Sequence, residues 1–202
     1  MTTESAAAHR RSPARTTRLN REAVINAALS FLDRAGWDAL TINALAVELG
    51  TKGPSLYNHV DSLDDLRQEV RDRVLAEIVG MLHTVSSGRT GEDAILAMAG
   101  AYRSYAQHHP GRYAALTRMP FLDDAHRPLT DVRELAKPAV DVIAIYGLTE
   151  DTAFHAGVEL WAAMHGFVML EMTGFMVGIE IDPDMAFTEM VHRFASGLAE
   201  RR

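Results

Sequence analysis

The sequence predicts an all-α fold, and three observations support this. Apolar residues recur three and four positions apart along most of the chain, as they do on one face of an α-helix. Residues that favour helix N-termini, and glycines and prolines that end helices, separate these stretches. No segment combines sustained apolar–polar alternation with β-branched residues, which is the pattern of a strand. We therefore expect a three-helix N-terminal domain followed by a larger helical bundle.

The first four predicted helices begin and end at residues typical of helix termini. Asn20 is a favourable N-cap, and Glu22 suits the positive end of the helix dipole. Ser62 with Asp65 three residues later forms a capping-box pattern. The predicted helices, with their flanking caps, extend from Asn20 to Gly36, Thr41 to Gly50, Ser55 to about Val60, and Ser62 to about Leu82.

The remaining predicted helices follow a break at Gly88–Gly91. Thr149 and Asp182 are N-caps, and Pro183 occupies the favoured first helical position. Two prolines and paired aspartates make 119–128 a loop, and Pro138 should kink the helix that contains it. The predicted helical spans are about 91–109, 111–118, 129–146, 149–173 and 182–200.

Composition excludes several classes of protein. The chain has 202 residues and no cysteine, which removes disulfide scaffolds, thiolate metal cages and cysteine nucleophiles. No apolar run reaches the ~18–20 residues of a membrane helix, and no secretory signal is evident, so we expect a cytoplasmic protein that does not enter a membrane. No phosphate-binding, dinucleotide or serine-hydrolase motif is present, so we expect no cofactor and no enzyme activity.

Charge is unevenly distributed along the chain. The formal net charge is −7, yet residues 1–60 carry seven basic against five acidic residues. Residues 10–21 contain five arginines and no acid, and with few large apolar residues we expect residues 1–19 to be a disordered basic arm. Two interpretations stay open: a solvated tail, or an arm that follows the phosphates of a nucleic acid.

Residues 41–60 have the pattern of a helix-turn-helix, two helices joined by a short glycine-containing turn. A short second helix with small residues at its start can enter a major groove. Leu56 and Val60 should face inward, and Thr41 can offer its hydroxyl to a phosphate. Five residues without an acid should form the exposed face: Lys52, Ser55, Tyr57, Asn58 and His59. A small turn between packed helices is also common in bundles that bind no DNA.

Residues 20–66 resemble the DNA-binding domain of the TetR family of bacterial transcriptional regulators. The resemblance lies in the segments GWDALT (36–41), AVELG (46–50) and SLYNHV (55–60). It implies phosphate contacts from Thr41 and Tyr57, and further DNA contacts from Asn43, Asn58 and His59. It also implies groove contacts at the start of the recognition helix, from Lys52, Gly53, Pro54 and Ser55. Leu63 stands where the family often has a phosphate-binding lysine.

The C-terminal part is similar to one subgroup of TetR-like ligand-binding domains. Trp161, His165 and Gly166 match the W-x-x-x-H-G signature of that subgroup. The last two helices also carry broad apolar bands, which favours pairing with a second copy, although both bands could be the core of one chain. The expected dimer interface consists of Val168, Met172, Phe187, Met190, Val191, Phe194 and Leu198.

A small-molecule site is expected in residues 67–202, which we assign to ligand binding and dimerisation. Methionines and aromatic residues with a few polar tips are typical of apolar ligand pockets. The expected lining is Met98, Tyr102, Tyr105, Met119, Phe121, Trp161, Met164 and His165. The resemblance implies a homodimeric repressor that binds a palindromic double-stranded operator and is released by a small apolar or amphipathic effector.

Two other hypotheses remain from the sequence. One is a helical sensor or interaction protein whose helix-turn-helix is only structural. The other is a metal-binding or small-molecule-transforming bundle, for which His155 and Glu159 lie one helical turn apart. That pair supplies two ligands without a completing motif, so we expect no metal site. His108 and His109 precede Pro110, where imidazoles can satisfy the last carbonyls of a helix.

Overall fold

In the computed structural model, which describes residues 19–121 and 131–200, the chain is all-α, as predicted. These two ranges contain nine helices. They are α1 (Arg21–Ala35), α2 (Ile42–Glu48), α3 (Gly53–Leu56), α4 (Leu63–Ser86), α5 (Gly91–His108), α6 (Pro110–Arg118), α7 (Val132–Ala144), α8 (Glu150–Met172) and α9 (Pro183–Ala199).

Side-chain caps begin the N-terminal helices where the sequence predicts them. Asn20 Oδ1 accepts a hydrogen bond from the backbone N–H of Ala23 at 2.8 Å. Ser62 Oγ likewise accepts from Asp65 N at 2.9 Å, and Asp65 Oδ2 accepts in return from the N–H of Asp61 at 3.0 Å. The first bond is the N-cap bond of the predicted capping box, whereas the return bond goes to Asp61, the residue before the N-cap, instead of to the N–H of Ser62.

Helix boundaries differ from the prediction at a few places. The third helix begins at Gly53 rather than Ser55 because Pro54 is accommodated in its first turn, and residues 57–59 form a turn. Helix α7 is shorter than the predicted 129–146, and Pro138 lies inside it. Residues 1–18 of the predicted arm (1–19) and residues 122–128 of the predicted loop (119–128) lie outside the described residues.

Helices α1–α3 pack on the first turns of α4 around a small core. Leu40, Leu45 and Leu56 are fully buried there, and Trp37 is nearly so. Helix α4 has 24 residues, about 36 Å, and continues from this core into the rest of the molecule. The predicted domain boundary between residues 66 and 67 therefore falls inside one continuous helix.

Helix α5 is the centre of the C-terminal bundle. It packs against α4, α6, α7, α8 and α9. Arg103 on α5 holds the α8–α9 pair, because its guanidinium bonds both carboxylate oxygens of Glu171 and lies 2.8 Å from Asp184. Within the described ranges, no helix has the length and hydropathy needed to cross a bilayer.

Candidate nucleic-acid interface and apolar cavity

Helices α2 and α3 pack closely at Gly53, where an added Cβ atom would displace the side chain of Asn43. A Cβ atom at Gly53 would lie 2.8 Å from Asn43 Oδ1 and 3.8 Å from Ile42 Cγ2. The amide of Asn43 therefore lies against the start of α3. Thr41 Oγ accepts from Ala44 N at 3.1 Å, which leaves the hydroxyl proton free to donate outward.

The residues expected to contact DNA lie on α2 and α3 and in the residues flanking these helices. Six of them are exposed, and the other three, Gly53, Ser55 and His59, are half-buried. The exposed six are Thr41, Asn43, Lys52, Pro54, Tyr57 and Asn58. Leu56 and Val60 are buried at 0% and 1% exposure, so the predicted inward face of this segment is confirmed.

Arg21 fixes the C-terminal end of this surface. Its guanidinium donates to the backbone carbonyl of His59 at 2.9 Å and to the carboxylates of Asp65 and Glu69 at 3.0 and 2.8 Å. Helix α1 therefore begins beside the end of α3. Lys52 is the single lysine or arginine among residues 41–60, and Asp61 and Asp64 are exposed nearby.

An apolar cavity of about 150 Å³ lies between helices of the C-terminal bundle. Helices α4, α5, α6, α7 and α8 all contribute to its wall, and no described lining residue is charged. Three lining residues are more than a third exposed, namely Val132, Val158 and Trp161 at 42%, 38% and 37%. They place the mouth of the cavity between α7 and α8.

Five of the eight residues expected to line the pocket do so: Met98, Tyr102, Phe121, Trp161 and Met164. Tyr105, Met119 and His165 are outside this lining. Tyr105 donates its hydroxyl instead to Glu77 at 2.8 Å, and this bond and burial raise the pKa of its phenol.

Sequence reasoning missed the contribution of α4 and α7. The missed lining residues of these two helices are Leu75, Ile78, Val79, Leu82, Val132, Leu135, Ala136 and Ala139. Ile78 and Leu82 belong to the apolar stripe of α4, which was a usable signal.

A hydrogen-bonded cluster lies directly behind the cavity wall. Trp161 Nε1 donates to the Tyr102 hydroxyl at 3.1 Å, and that hydroxyl lies 3.0 Å from the Tyr113 hydroxyl. His165 Nδ1 is 2.6 Å from the Tyr113 hydroxyl and 3.1 Å from that of Tyr102. Burial lowers the pKa of His165 and raises the pKa values of both tyrosines, so all of these groups are neutral near pH 7.

Helix α6 joins this region to the N-terminal helices. A Cβ atom at Gly111 would lie 2.0 Å from the carbonyl oxygen of Leu32, so the start of α6 touches the backbone of α1. Arg112 bridges α1 and α4, since its Nε donates to Asp33 Oδ1 at 2.9 Å and its Nη1 to Glu77 Oε2 at 3.1 Å. Burial opposes ionisation of Asp33, but the bonds to Arg112 and His109 outweigh it and lower the pKa of that carboxyl.

Several residues expected at a dimer interface lie inside this chain instead. Val168, Phe187, Val191 and Leu198 are 0–4% exposed. The apolar bands of α8 and α9 bury these four against their own bundle, which corrects the expectation that they face a second copy. Met190 and Phe194 are half-buried and Met172 is exposed, so these three remain accessible in part.

The histidines do not assemble a metal centre in the part of the chain that the structure describes. No group of three or more histidine, aspartate or glutamate side chains there has the spacing to hold an ion. His108 Nδ1 lies 2.8 Å from the carbonyl oxygen of Ser104, which confirms its predicted role at a helix end. His109 Nδ1 instead faces Asp33 at 3.1 Å.

Comparison with known proteins places this architecture in a family. A sequence model described as the tetracyclin repressor-like C-terminal domain matches residues 95–194. The HTH-type transcriptional regulator Rv0681 of Mycobacterium tuberculosis is 56% identical over 95% of this chain and 87% of its own length. The HTH-type transcriptional regulator YobS of Bacillus subtilis is 28% identical over 89% of this chain and 93% of its own.

A solved structure agrees on the fold. A TetR variant from Acinetobacter baumannii AYE, crystallised in complex with minocycline, superposes with a TM-score of 0.69 at 21% identity. The match covers 92% of this chain and 99% of that one. The tryptophan–histidine–glycine subgroup remains a prediction. Taken with the helix-turn-helix of α2 and α3, these relatives show that the chain belongs to the TetR family of ligand-responsive, DNA-binding transcriptional regulators.

Proposed function

We propose that the chain is a cytoplasmic, homodimeric repressor that reads a palindromic operator through α2 and α3. A small apolar or amphipathic effector in the cavity would release the operator. No catalytic step or cofactor is assigned. The division into a DNA-binding part over residues 20–66 and an effector-binding and dimerisation part over 67–202 belongs to this proposal.

The position of α6 is the observation that carries the proposal. Leu116 of α6 lines the cavity, while Gly111 and Arg112 at the other end of the same helix contact α1. A ligand that moves α6 must therefore also move the N-terminal helices or break these contacts. Coupling between two sites is typically worth 1–3 kcal/mol, enough to change operator affinity several-fold to about a hundred-fold.

The exposed surface of α2 and α3 is better suited to contacts in a DNA groove than to tight binding of the phosphate backbone. Its polar side chains and Tyr57 can meet base edges and the backbone, but Lys52 is its single lysine or arginine. Arg10, Arg11, Arg15 and Arg18 precede α1 in the chain, and α1 begins beside the end of α3. We assign additional phosphate contacts to these arginines.

Homodimerisation is supported by an exposed apolar surface at one end of α8 and α9. Seven large apolar side chains between 170 and 185 are at least 39% exposed, an unusual concentration for a monomer. They form what we term the α8–α9 surface: Leu170, Met172, Phe175, Val177, Ile179, Ile181 and Met185. A two-fold dimer would also present two copies of α3, and helix-turn-helix dimers bind half-sites about one turn of DNA apart.

Selection of bound fragments from genomic DNA, followed by binding titrations at several salt concentrations, tests the DNA-binding part of the proposal. Tyr57→Ala should weaken binding to operator and unrelated DNA alike and reduce the salt slope by about one. Asn58→Ala and His59→Ala should change sequence preference, at about 1–3 kcal/mol for each lost base contact.

Asn26→Ala is the matched control for these variants. Asn26 is exposed on α1, outside the proposed interface, so its removal should leave operator affinity unchanged. Unchanged affinity in Tyr57→Ala would reject the assignment of this surface. A complete lack of salt-dependent binding would favour the alternative, a helical small-molecule-binding or interaction protein without sequence-specific DNA binding.

A further inference from the structure

The size of the cavity limits its occupant. Its volume is about 150 Å³. An engineered apolar cavity of about that volume in another protein stays dry and binds benzene. The space between α4, α5, α7 and α8 therefore suits a molecule of about one aromatic ring, or a hydrocarbon chain of similar bulk.

The wall of the cavity offers a charged ligand no partner among the described residues. The fully buried guanidinium of Arg71 lies behind this wall, over the ring of Phe121 at 5.3 Å. It is already engaged by Asp72 Oδ1, which accepts from Nη2 at 2.7 Å, and by the carbonyl oxygen of Pro120. A carboxylate or ammonium group in the cavity would lose its hydration without gaining an opposite charge, which is strongly unfavourable.

The polar side-chain atoms of the lining are already hydrogen-bonded. Among the described lining residues, only Trp161 and Tyr102 carry a side-chain N–H or O–H. Trp161 Nε1 donates to the Tyr102 hydroxyl, which has two further partners, Tyr113 and His165, within 3.1 Å. Because these groups satisfy one another, an occupant needs no hydrogen-bonding group to compensate them.

We propose that this cavity selects an uncharged aromatic or hydrocarbon molecule of about one ring and rejects its carboxylate and ammonium analogues. This inference rests on the proposed function, because it takes the molecule that binds in the cavity to be the effector. The neutrality and small size of the expected ligand follow from the described residues of the wall. The three described residues at the mouth, Val132, Val158 and Trp161, are apolar as well.

Calorimetric titration of the full chain at pH 7 with toluene, benzoate and benzylamine tests this selection. These probes share one ring and differ in charge. Toluene should bind saturably and change the fluorescence of Trp161, whereas benzoate and benzylammonium should bind at least about ten-fold more weakly. Absence of toluene binding, or equal binding of a charged probe, overturns the proposal.

Cavity-filling variants locate the bound probe. Ala139→Phe and Ala136→Phe place a ring in the cavity from α7 and should abolish toluene binding, whereas Ala162→Phe, on the exposed face of α8, should retain it. Circular dichroism identifies any variant that fails to fold. Two filling variants are used so that, if one does not fold, the other still tests the location of the probe. Retained toluene binding in a folded filling variant would overturn the assignment to this cavity.

Operator affinity is measured separately, so that the two proposals fail independently. Toluene that binds in the cavity without changing operator affinity would reject the proposed effector role and leave the ligand class in place. Conversely, a charged compound that binds in the cavity and releases the operator would support regulation through the cavity and reject the ligand class.

Discussion

The hydroxyl of Tyr102, a residue that lines the cavity, is hydrogen-bonded to side chains of the neighbouring helices. It accepts from Trp161 on α8 and reaches Tyr113 on α6, and His165 on α8 closes the cluster. The Tyr113 hydroxyl lies 2.6 Å from Nδ1 of His165, which accepts from it when the neutral imidazole carries its proton on Nε2. A proton on Nδ1 would turn this acceptor into a donor and force the tyrosine hydroxyls to reorient.

The neutral state of His165 predicts a loss of stability in mild acid. Burial lowers the pKa of His165 below 6.5, its ordinary value, so between the two values the unfolded chain binds more protons than the native chain. The free energy of unfolding should therefore fall as pH drops below about 6.5. Melting temperatures at pH 7.5 and 5.5 should show a smaller decrease in His165→Gln than in the wild-type chain.

His83→Gln serves as the control for this titration. His83 is exposed near the end of α4, away from the tyrosines, so the variant should keep the pH dependence of the wild-type chain. Equal pH dependence of His165→Gln and wild type would show that the native cluster does not oppose protonation of His165.

Helix α6 is short, yet its side chains reach three parts of the molecule. Leu116 lines the cavity, Tyr113 joins the buried cluster, and Arg112 bridges Asp33 on α1 to Glu77 on α4. Gly111 sets the distance between α6 and α1, because only a residue without a Cβ fits against the carbonyl of Leu32. The packing of this nine-residue helix thus contributes, together with the contacts between α1 and α4, to how closely α1 lies against the C-terminal bundle.

Gly111→Ala should separate α6 from α1. The added methyl would overlap backbone atoms that cannot move as a flexible side chain does, so we expect a loss of roughly 1–3 kcal/mol of stability. Gly100→Ala on α5 is the matched control, since nothing lies within 4 Å of its Cβ position. That change should stabilise the helix by roughly 0.5–1 kcal/mol.

Urea unfolding of both glycine variants measures these opposite effects. In Gly111→Ala, effector binding should also change operator affinity less than in wild type, because the contact that we propose transmits it is displaced. A Gly111→Ala protein as stable and as responsive as the wild type would show that α6 and α1 are not held at this point.

Helix boundaries were predictable from the sequence because their determinants are local. Asn20, Thr41 and Ser62 cap their helices within three residues of their own positions. The cavity was only partly predictable, because an apolar stripe shows that a residue faces inward and not whether its neighbours fill the space. The same limit explains Phe187 and Val191, whose apolar band was correctly identified but lies against its own chain.

The charge distribution over the whole chain is consistent with a DNA-binding end on an acidic body. Residues 1–60 have seven basic and five acidic residues, leaving 13 basic and 22 acidic residues in 61–202. An acidic body repels DNA, so contact is favoured through the N-terminal helices and the arginines that precede them in sequence. One such end binds weakly, and two held in fixed register by a dimer bind far more tightly.

Dimerisation through the α8–α9 surface should therefore be necessary for operator binding. Phe175 and Val177 are 64% and 83% exposed, and Glu180, Asp182 and Asp184 are close in sequence, so a further acid should disrupt contact with a second copy. We expect Phe175→Glu to weaken self-association by at least about thirty-fold, the effect of losing one central interface residue. Sedimentation velocity over a range of protein concentrations measures this change.

Ile145→Glu is the matched control, because Ile145 is 49% exposed at the end of α7, away from the α8–α9 surface. The control should dimerise and bind the operator as the wild type does. Phe175→Glu should keep its helical content and its weak, salt-dependent binding to unrelated DNA, but lose the additional affinity for a palindrome. If the Phe175→Glu protein is monomeric but keeps full operator affinity, one copy of α3 is enough for operator binding. If it remains dimeric, the two copies contact each other through a face other than the α8–α9 surface.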